Sequence, residues 1–164
     1  MFCTPSVKTT PVQTEICEAA ARLSLTRQQF EQLSASEAEI VYRTCLSSFV
    51  TASFEPRWWW EHFREPQARL DASGHQLAFT LIIDLIPDPD MSCYFIAEDD
   101  QAPFYPAYRS SPRTVVSIIG ECFGFEYYLT PLDYTWLICE SHHDEIYGVG
   151  EPIVSRLNAH VAAT

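Results

Sequence analysis

Apolar positions recur along the chain with two periods, and the change from one to the other sets the expected order of elements. Val12, Ile16, Ala19, Ala20 and Leu23 follow at helical spacing behind Thr10-Pro11-Val12-Gln13, where a capping Thr, a first-turn Pro and a Gln three residues on mark a helix start. Thr26 to Leu33 is predicted as a second short helix, with Gln29 completing another capping pattern. Ser36-Glu37-Ala38-Glu39 opens a third, whose core face is Ile40, Val41, Cys45 and Phe49. Ahead of these helices, residues 1 to 9 read as a flexible tail.

Leu77 to Ile86 is apolar except for Thr80 and Asp84; periodicity alone does not separate a buried helix from a strand, and helix is the reading taken. Pro87-Asp88-Pro89-Asp90 breaks it, and Met91 to Ala97 reads as a strand running into the acidic turn Glu98-Asp99-Asp100. A loop rich in Pro and Tyr is expected over Gln101 to Pro112, then a helix over Arg113 to Cys122. Phe125 to Leu129, Tyr134 to Cys139 and Glu145 to Val149 alternate with turns as an antiparallel meander does. Gly148-Val149-Gly150 is expected to turn the chain into a closing helix over Glu151 to Val161. The expected fold is α+β: N-terminal helices packed on a small, mainly antiparallel sheet, with a closing C-terminal helix. With no repeat or linker in sight, residues 10 to 164 are assigned to one domain.

Charge adds a direction to this outline. Ten Lys and Arg stand against twenty-two Asp and Glu, a formal net charge of -12 over 164 residues. Residues 1 to 70 carry a net -1 and residues 71 to 164 a net -11, so the strand-rich half carries the field. Such a field repels phosphate backbones and anionic membrane surfaces, which argues against nucleic acid and membrane as partners. It attracts a basic protein. TLIIDLIP is too short to span a bilayer, and the N-terminal residues hold no apolar run of signal-peptide length. Six cysteines without a C-x-x-C pair exclude a zinc ribbon and favour free thiols, hence a cytoplasmic protein. Gly120, Gly124, Gly148 and Gly150 form no phosphate-binding pattern, and no cofactor is expected.

Two segments carry candidate chemistry. Trp58, Trp59 and Trp60 are adjacent and cannot share one face of a helix or strand, so at least one is free to act as an interaction anchor. With Glu98, Asp99, Asp100, Tyr105 and Tyr108 they make up the expected partner-binding residues, aromatic rings beside carboxylates suiting a cationic or peptide ligand. The second segment is Glu140-Ser141-His142-His143-Asp144-Glu145. If the chain stays extended, Glu140, His142 and Asp144 point one way while Ser141, His143 and Glu145 point the other. Glu140, His142 and Asp144 are therefore the candidate catalytic set, and His142 and His143 the candidate metal ligands, with Glu126 or Glu121 joining if the fold brings them near. A turn supported by its own polar side chains accounts for the same residues without chemistry.

The stretch EYYLTPLDYTWLICESHHDEIYGVGEPI resembles a small uncharacterised bacterial family. The features are a tyrosine-rich strand, a Trp-Leu strand, a Glu-(Asn or Ser)-His-His-Asp turn and a Val-Gly-Glu segment. They are carried here by Glu126, Tyr127, Tyr128, Trp136, Leu137, Glu140, His142, His143, Asp144, Val149, Gly150 and Glu151. Ser141 stands where that pattern has Asn. More distantly, the order of helices, a Leu-Ile-Pro break at Leu85 to Pro87, strands and a late helix is similar to the SUKH superfamily, many of whose members are immunity proteins against bacterial toxins. That resemblance implies a binding role rather than catalysis. The expected function is thus an acidic protein-binding domain of immunity type, monomeric or homodimeric, that neutralises a basic partner such as a toxin. The alternative is a small metal-binding protein or hydrolase built on Glu140, His142 and Asp144.

Overall fold

The computed structural model describes residues 9–163, so the tail expected over residues 1 to 9 falls, except for Thr9, outside the described residues. Helix α1 spans Pro11–Arg22 and begins as the sequence indicates: Gln13 N–H donates to Thr10 Oγ1 (3.2 Å) while Thr10 N–H donates to Gln13 Oε1 (3.0 Å). Helix α2 spans Ala35–Phe49, capped by Ser34 with Glu37 rather than from Ser36. It buries Ala38, Val41, Tyr42, Cys45 and Phe49. Ile40, expected on that face, is 63% exposed because it lies one residue off the stripe and so about 100° round the helix.

The second helix expected over Thr26 to Leu33 does not form. Gln29 caps Thr26 N–H (2.9 Å) for a single turn, and Phe30–Gln32 becomes strand β1. Eight residues cannot sustain a helix unaided, and Phe30 gains more by stacking on Tyr108, ring centroids 4.8 Å apart. Strand β2 (Gln67–Asp71) has no counterpart among the expected elements. The helix expected over Leu77 to Ile86 is a 3-10 turn, Ala78–Leu81, running into the short helix α3, Ile82–Leu85. Strand β3 is Cys93–Ala97, and β4, Ala107–Ser110, lies inside the segment expected to be a loop. Proline at positions 103 and 106 masks that strand, whose ladder on β1 and β3 starts only after them. Helix α4 (Pro112–Ile119), strands β5 (Tyr127–Pro131), β6 (Leu137–Glu140) and β7 (Glu145–Val149), and helix α5 (Ile153–Ala163) complete the chain.

All seven strands form one antiparallel sheet in the order β1-β4-β3-β5-β6-β7-β2. One face packs Ile16, Phe95, Tyr108, Val115, Ile118 and Leu157, from the sheet and from α1, α4 and α5. The other packs Cys45, Phe49, Trp59, Ile96, Tyr128 and Leu137, with α2 above them. Coverage of both faces explains why β3 and β5 read as nearly unbroken apolar runs instead of alternating. Helix α5 sits directly on Gly148: a Cβ there would lie 2.3 Å from Ile153 Cγ2 and 2.6 Å from Leu157 Cδ1. Gly148 and Val149 thus belong to β7, and the turn expected at Gly148-Val149-Gly150 is made at Gly150, which has φ +80°.

Cys45, Cys93, Cys122 and Cys139 are free thiols. Cys17 is disulfide-bonded, which corrects the reading of all six as free. Among the described residues no helix is long and apolar enough to cross a membrane.

Candidate functional site

The strand registers bring acidic residues from five separate stretches to one end of the sheet. Ala97 stands beside Tyr127, Tyr127 beside Glu140, Glu140 beside Ile146, and Ile146 beside Leu70. At that end therefore lie Asp71, Glu98, Asp99, Asp100, Glu126, Glu140, Asp144 and Glu145. Two guanidiniums answer them: Arg57 reaches Glu98 (2.7 Å) and Asp100 (3.4 Å), and Arg69 reaches Glu145 (3.1 Å).

Glu126 is the buried member of this group, 6% exposed, and lies just before β5. Its carboxylate accepts from Trp60 Nε1–H (3.2 Å) and from His142 N–H (3.0 Å), and it pairs with His142 Nδ1. Its backbone carbonyl accepts from Glu98 N–H (2.8 Å), which ties the end of β3 to the start of β5. His142, with its side chain 42% exposed, is flanked by aromatic rings: Trp58 at 4.9 Å, Trp60 at 6.0 Å and His143 at 4.0 Å between centroids. Tyr147 stacks on Trp60 at 5.0 Å, and the Arg57 guanidinium lies 5.7 Å from the Trp58 ring. With Nδ1 engaged by Glu126, Nε2 is the ring nitrogen His142 has left for another partner.

The hairpin between β6 and β7 decides which of the candidate residues meet. Ser141 N–H donates to Glu145 O (2.9 Å), Asp144 N–H to Ser141 O (3.2 Å), and Asp144 takes a left-handed φ of 56°. The chain therefore turns instead of staying extended, and Glu140, His142 and Asp144 do not share a side. Glu140 accepts from Tyr127 O–H (2.6 Å), whose ring lies in the core on the α1 and α5 face, while His142 turns to Glu126 and Trp60 on the α2 face. Burial, and secondarily Asp144, raises the Glu140 carboxyl above its ordinary value against the lowering effect of the Tyr127 hydroxyl. His143 and Asp144 are exposed. Of the two glutamates considered for the set, Glu126 joins His142; Glu121 pairs instead with Arg22 (3.2 Å). Among the described residues no three His, Cys, Asp or Glu are grouped to hold a metal ion.

The residues expected at a partner surface divide in the same way. Trp59 and Tyr108 are fully buried, and Trp60 and Tyr105 nearly so, each inside a ring cluster. Asp99 is 3% exposed and accepts from Gln101 N–H (3.0 Å) and from Thr10 Oγ1. Glu98 is buried against Arg57. Trp58, half-buried, and Asp100, exposed, are the members left at the surface. Arg57, which adjoins Trp58 in sequence, and Tyr147, one of the tyrosines of the acidic half, lay outside the expected set; the pairing with Glu98 and the register of β7 bring them here.

Fold and site together define an acidic α+β protein whose single antiparallel sheet is covered on both faces and ends in a carboxylate-rich corner organised by Glu126. The chain belongs to a family of unknown function, DUF6756, whose family model matches residues 8–160. No curated protein and no solved structure matches it.

Proposed function

We propose that this is a protein-binding domain that takes a basic partner at the acidic end of its sheet, with Trp58 as the aromatic anchor. The observation that carries the reading is the convergence of eight carboxylates and two guanidiniums at that one end. Carboxylates in such excess raise the association rate of a cationic protein and make it fall with salt. Trp58, flanked by Arg57 and His142, keeps part of its ring accessible without a further ordering cost. An immunity-type role, in which the partner is a toxin neutralised in the cytoplasm, is the finer form of the proposal. It rests on the distant resemblance to the SUKH superfamily and on the charge.

Capture from lysate of the source cells, with the wild type compared with Asp100→Lys/Asp144→Lys, tests the reading. A basic protein retained at low salt and lost both at high salt and with the variant supports it; no retained protein, or equal retention by the variant, overturns it. Protection of cells expressing a toxin encoded beside this protein tests the finer form, and absence of protection removes it.

A second reading is favoured by one observation, the Glu126 carboxylate holding His142 Nδ1 and leaving Nε2 unengaged by it. A His so oriented serves acid/base chemistry or metal binding, with Glu126 in the place first given to Glu140. Metal analysis of protein purified without chelators, and the loss of any detected activity in His142→Ala, decide it.

A further inference from the structure

We propose that the protein pairs with a second copy of itself through the outer edge of β2, making one continuous sheet across a two-fold axis at Leu70. The pairing shares Arg69 and Asp71 with the acidic end, but it is read by self-association, so it stands or fails separately from the basic-partner reading.

The sheet has two edges, β1 with three residues and β2 with five. Unpaired edge strands are the usual places where sheets extend. The hydrogen bonds around β2 fix which backbone groups face outward. Ala72 N–H donates inward to Asp144 O (2.8 Å), so by the antiparallel alternation Leu70 and Ala68 also turn their backbone groups to β7. Arg69 and Asp71 turn theirs away. The opposite strand agrees: Glu145, which stands across from Asp71, gives its carbonyl to Ser141 on the β6 side (2.9 Å). Gln67, also outward, has its N–H taken by Glu65 Oε2 at 3.2 Å. Among the described residues, no hydrogen bond reaches the outward N–H or C=O of Arg69 or Asp71.

An antiparallel copy placed about Leu70 sets Arg69 opposite the partner's Asp71, and Asp71 opposite the partner's Arg69. Residues so placed exchange both backbone hydrogen bonds, while Leu70 meets its own copy as the pair without them. The side chains of each Arg-Asp pair lie on the same face and carry opposite charge. Moving the axis one residue to Arg69 sets that guanidinium against itself, so charge selects the register. Both side chains are exposed in the single chain, Arg69 by 67% even while it reaches Glu145.

Helix α5 fits the same arrangement. Arg156 donates to Asp84 O and Ile86 O (both 3.4 Å), which turns that side of α5 toward α3. Asn158 and Ala162 fall toward the opposite side of the helix, on the β2 side, and both are exposed and uncharged. A two-fold axis perpendicular to the sheet brings the two α5 helices together on one face along these residues.

Sedimentation of the full chain over a range of concentrations, with Arg69→Asp, Asp71→Arg and the double variant Arg69→Asp/Asp71→Arg, tests the proposal. The wild type is expected to dimerise with rising concentration. Each single variant weakens the dimer by about tenfold, because two symmetric pairs change from attraction to repulsion. The double variant restores it, since each new Asp again faces a new Arg. Circular dichroism and thermal unfolding verify that every variant retains its fold. A chain that stays monomeric at every concentration overturns the proposal. So does a dimer indifferent to the single variants, or a folded double variant that fails to recover.

Discussion

Glu126 and His142 stand 16 residues apart in sequence and are joined twice, through the His142 backbone N–H at 3.0 Å and through the ring nitrogen Nδ1. The same carboxylate takes the Trp60 indole N–H, so one buried side chain fastens the 3-10 turn at Trp59–His62 to the hairpin between β6 and β7. Glu126→Ala leaves the buried Trp60 indole without an acceptor and is expected to cost about 1–3 kcal/mol in urea unfolding. Glu126→Gln retains an acceptor oxygen and costs less. Equal losses in the two variants count against this account, and a shift in tryptophan emission accompanies the Ala change alone.

Glu140 gives a pH dependence of defined sign. Its carboxyl is raised above the model-compound value of 4.5, chiefly by burial, so the folded state holds that proton more tightly than the unfolded chain does. The contribution is fully present below about pH 4.5 and is lost as pH rises through the folded value. Glu140→Gln, which still accepts from Tyr127 O–H, is therefore expected to match the wild type in acid and to equal or exceed its stability at neutral pH. Denaturant midpoints measured at pH values on both sides of 4.5 check the crossing. A variant less stable only at neutral pH contradicts it.

The free thiols are expected to differ in reactivity. Cys93 is buried and pushed up to about 12, and burial likewise raises Cys45 and Cys139. Cys122 is also raised to about 12 by burial, but it is half-buried in the turn that follows α4. In a thiol-disulfide exchange assay on native protein at mildly alkaline pH, Cys122 is expected to react first and slowly. Cys45, Cys93 and Cys139 wait for unfolding. Fast labelling of any of these three contradicts their burial.

Gly148→Ala drives a methyl into Ile153 and Leu157, both side chains of α5. Overpacking of this kind is expected to cost about 1–3 kcal/mol. Thermal unfolding of the single variant measures it, and Gly148→Ala combined with Leu157→Val recovers part of the loss by removing the Leu157 methyl at 2.6 Å while the closer contact with Ile153 remains. A neutral Gly148→Ala shows that α5 is free to lift from the strand.

Local signals were legible where the chain satisfies itself over a few residues. Thr10 and Gln13 announce α1 because both halves of the capping exchange lie within four residues, and Glu145 to Val149 reads as a strand because its ends are marked by turns. The α+β class and the antiparallel sheet follow from such signals. Elements whose reason lies elsewhere in the chain were not legible. Phe30–Gln32 carries a helix-like local pattern and becomes a strand because β4, about 80 residues away, offers an edge and Tyr108 a ring. Strand β4 is short and follows two prolines, while β2 faces the core only through Ala68 and Leu70, too few apolar residues to announce a strand without the β7 ladder.

At the site, the sequence by itself determined the ingredients: an acidic C-terminal half, a run of tryptophans and a pair of histidines beside carboxylates. Only the tertiary structure decided which of them meet. One residue in a left-handed conformation, Asp144, turns the hairpin and separates His142 from Glu140, since side-chain direction in a strand reverses at each residue and a turn resets the count. The strand registers then set Glu126 beside His142 and gather carboxylates from residues 71 to 145 at one end of the sheet. Register is a long-range property, fixed by the packing of both sheet faces, and no local window of sequence contains it.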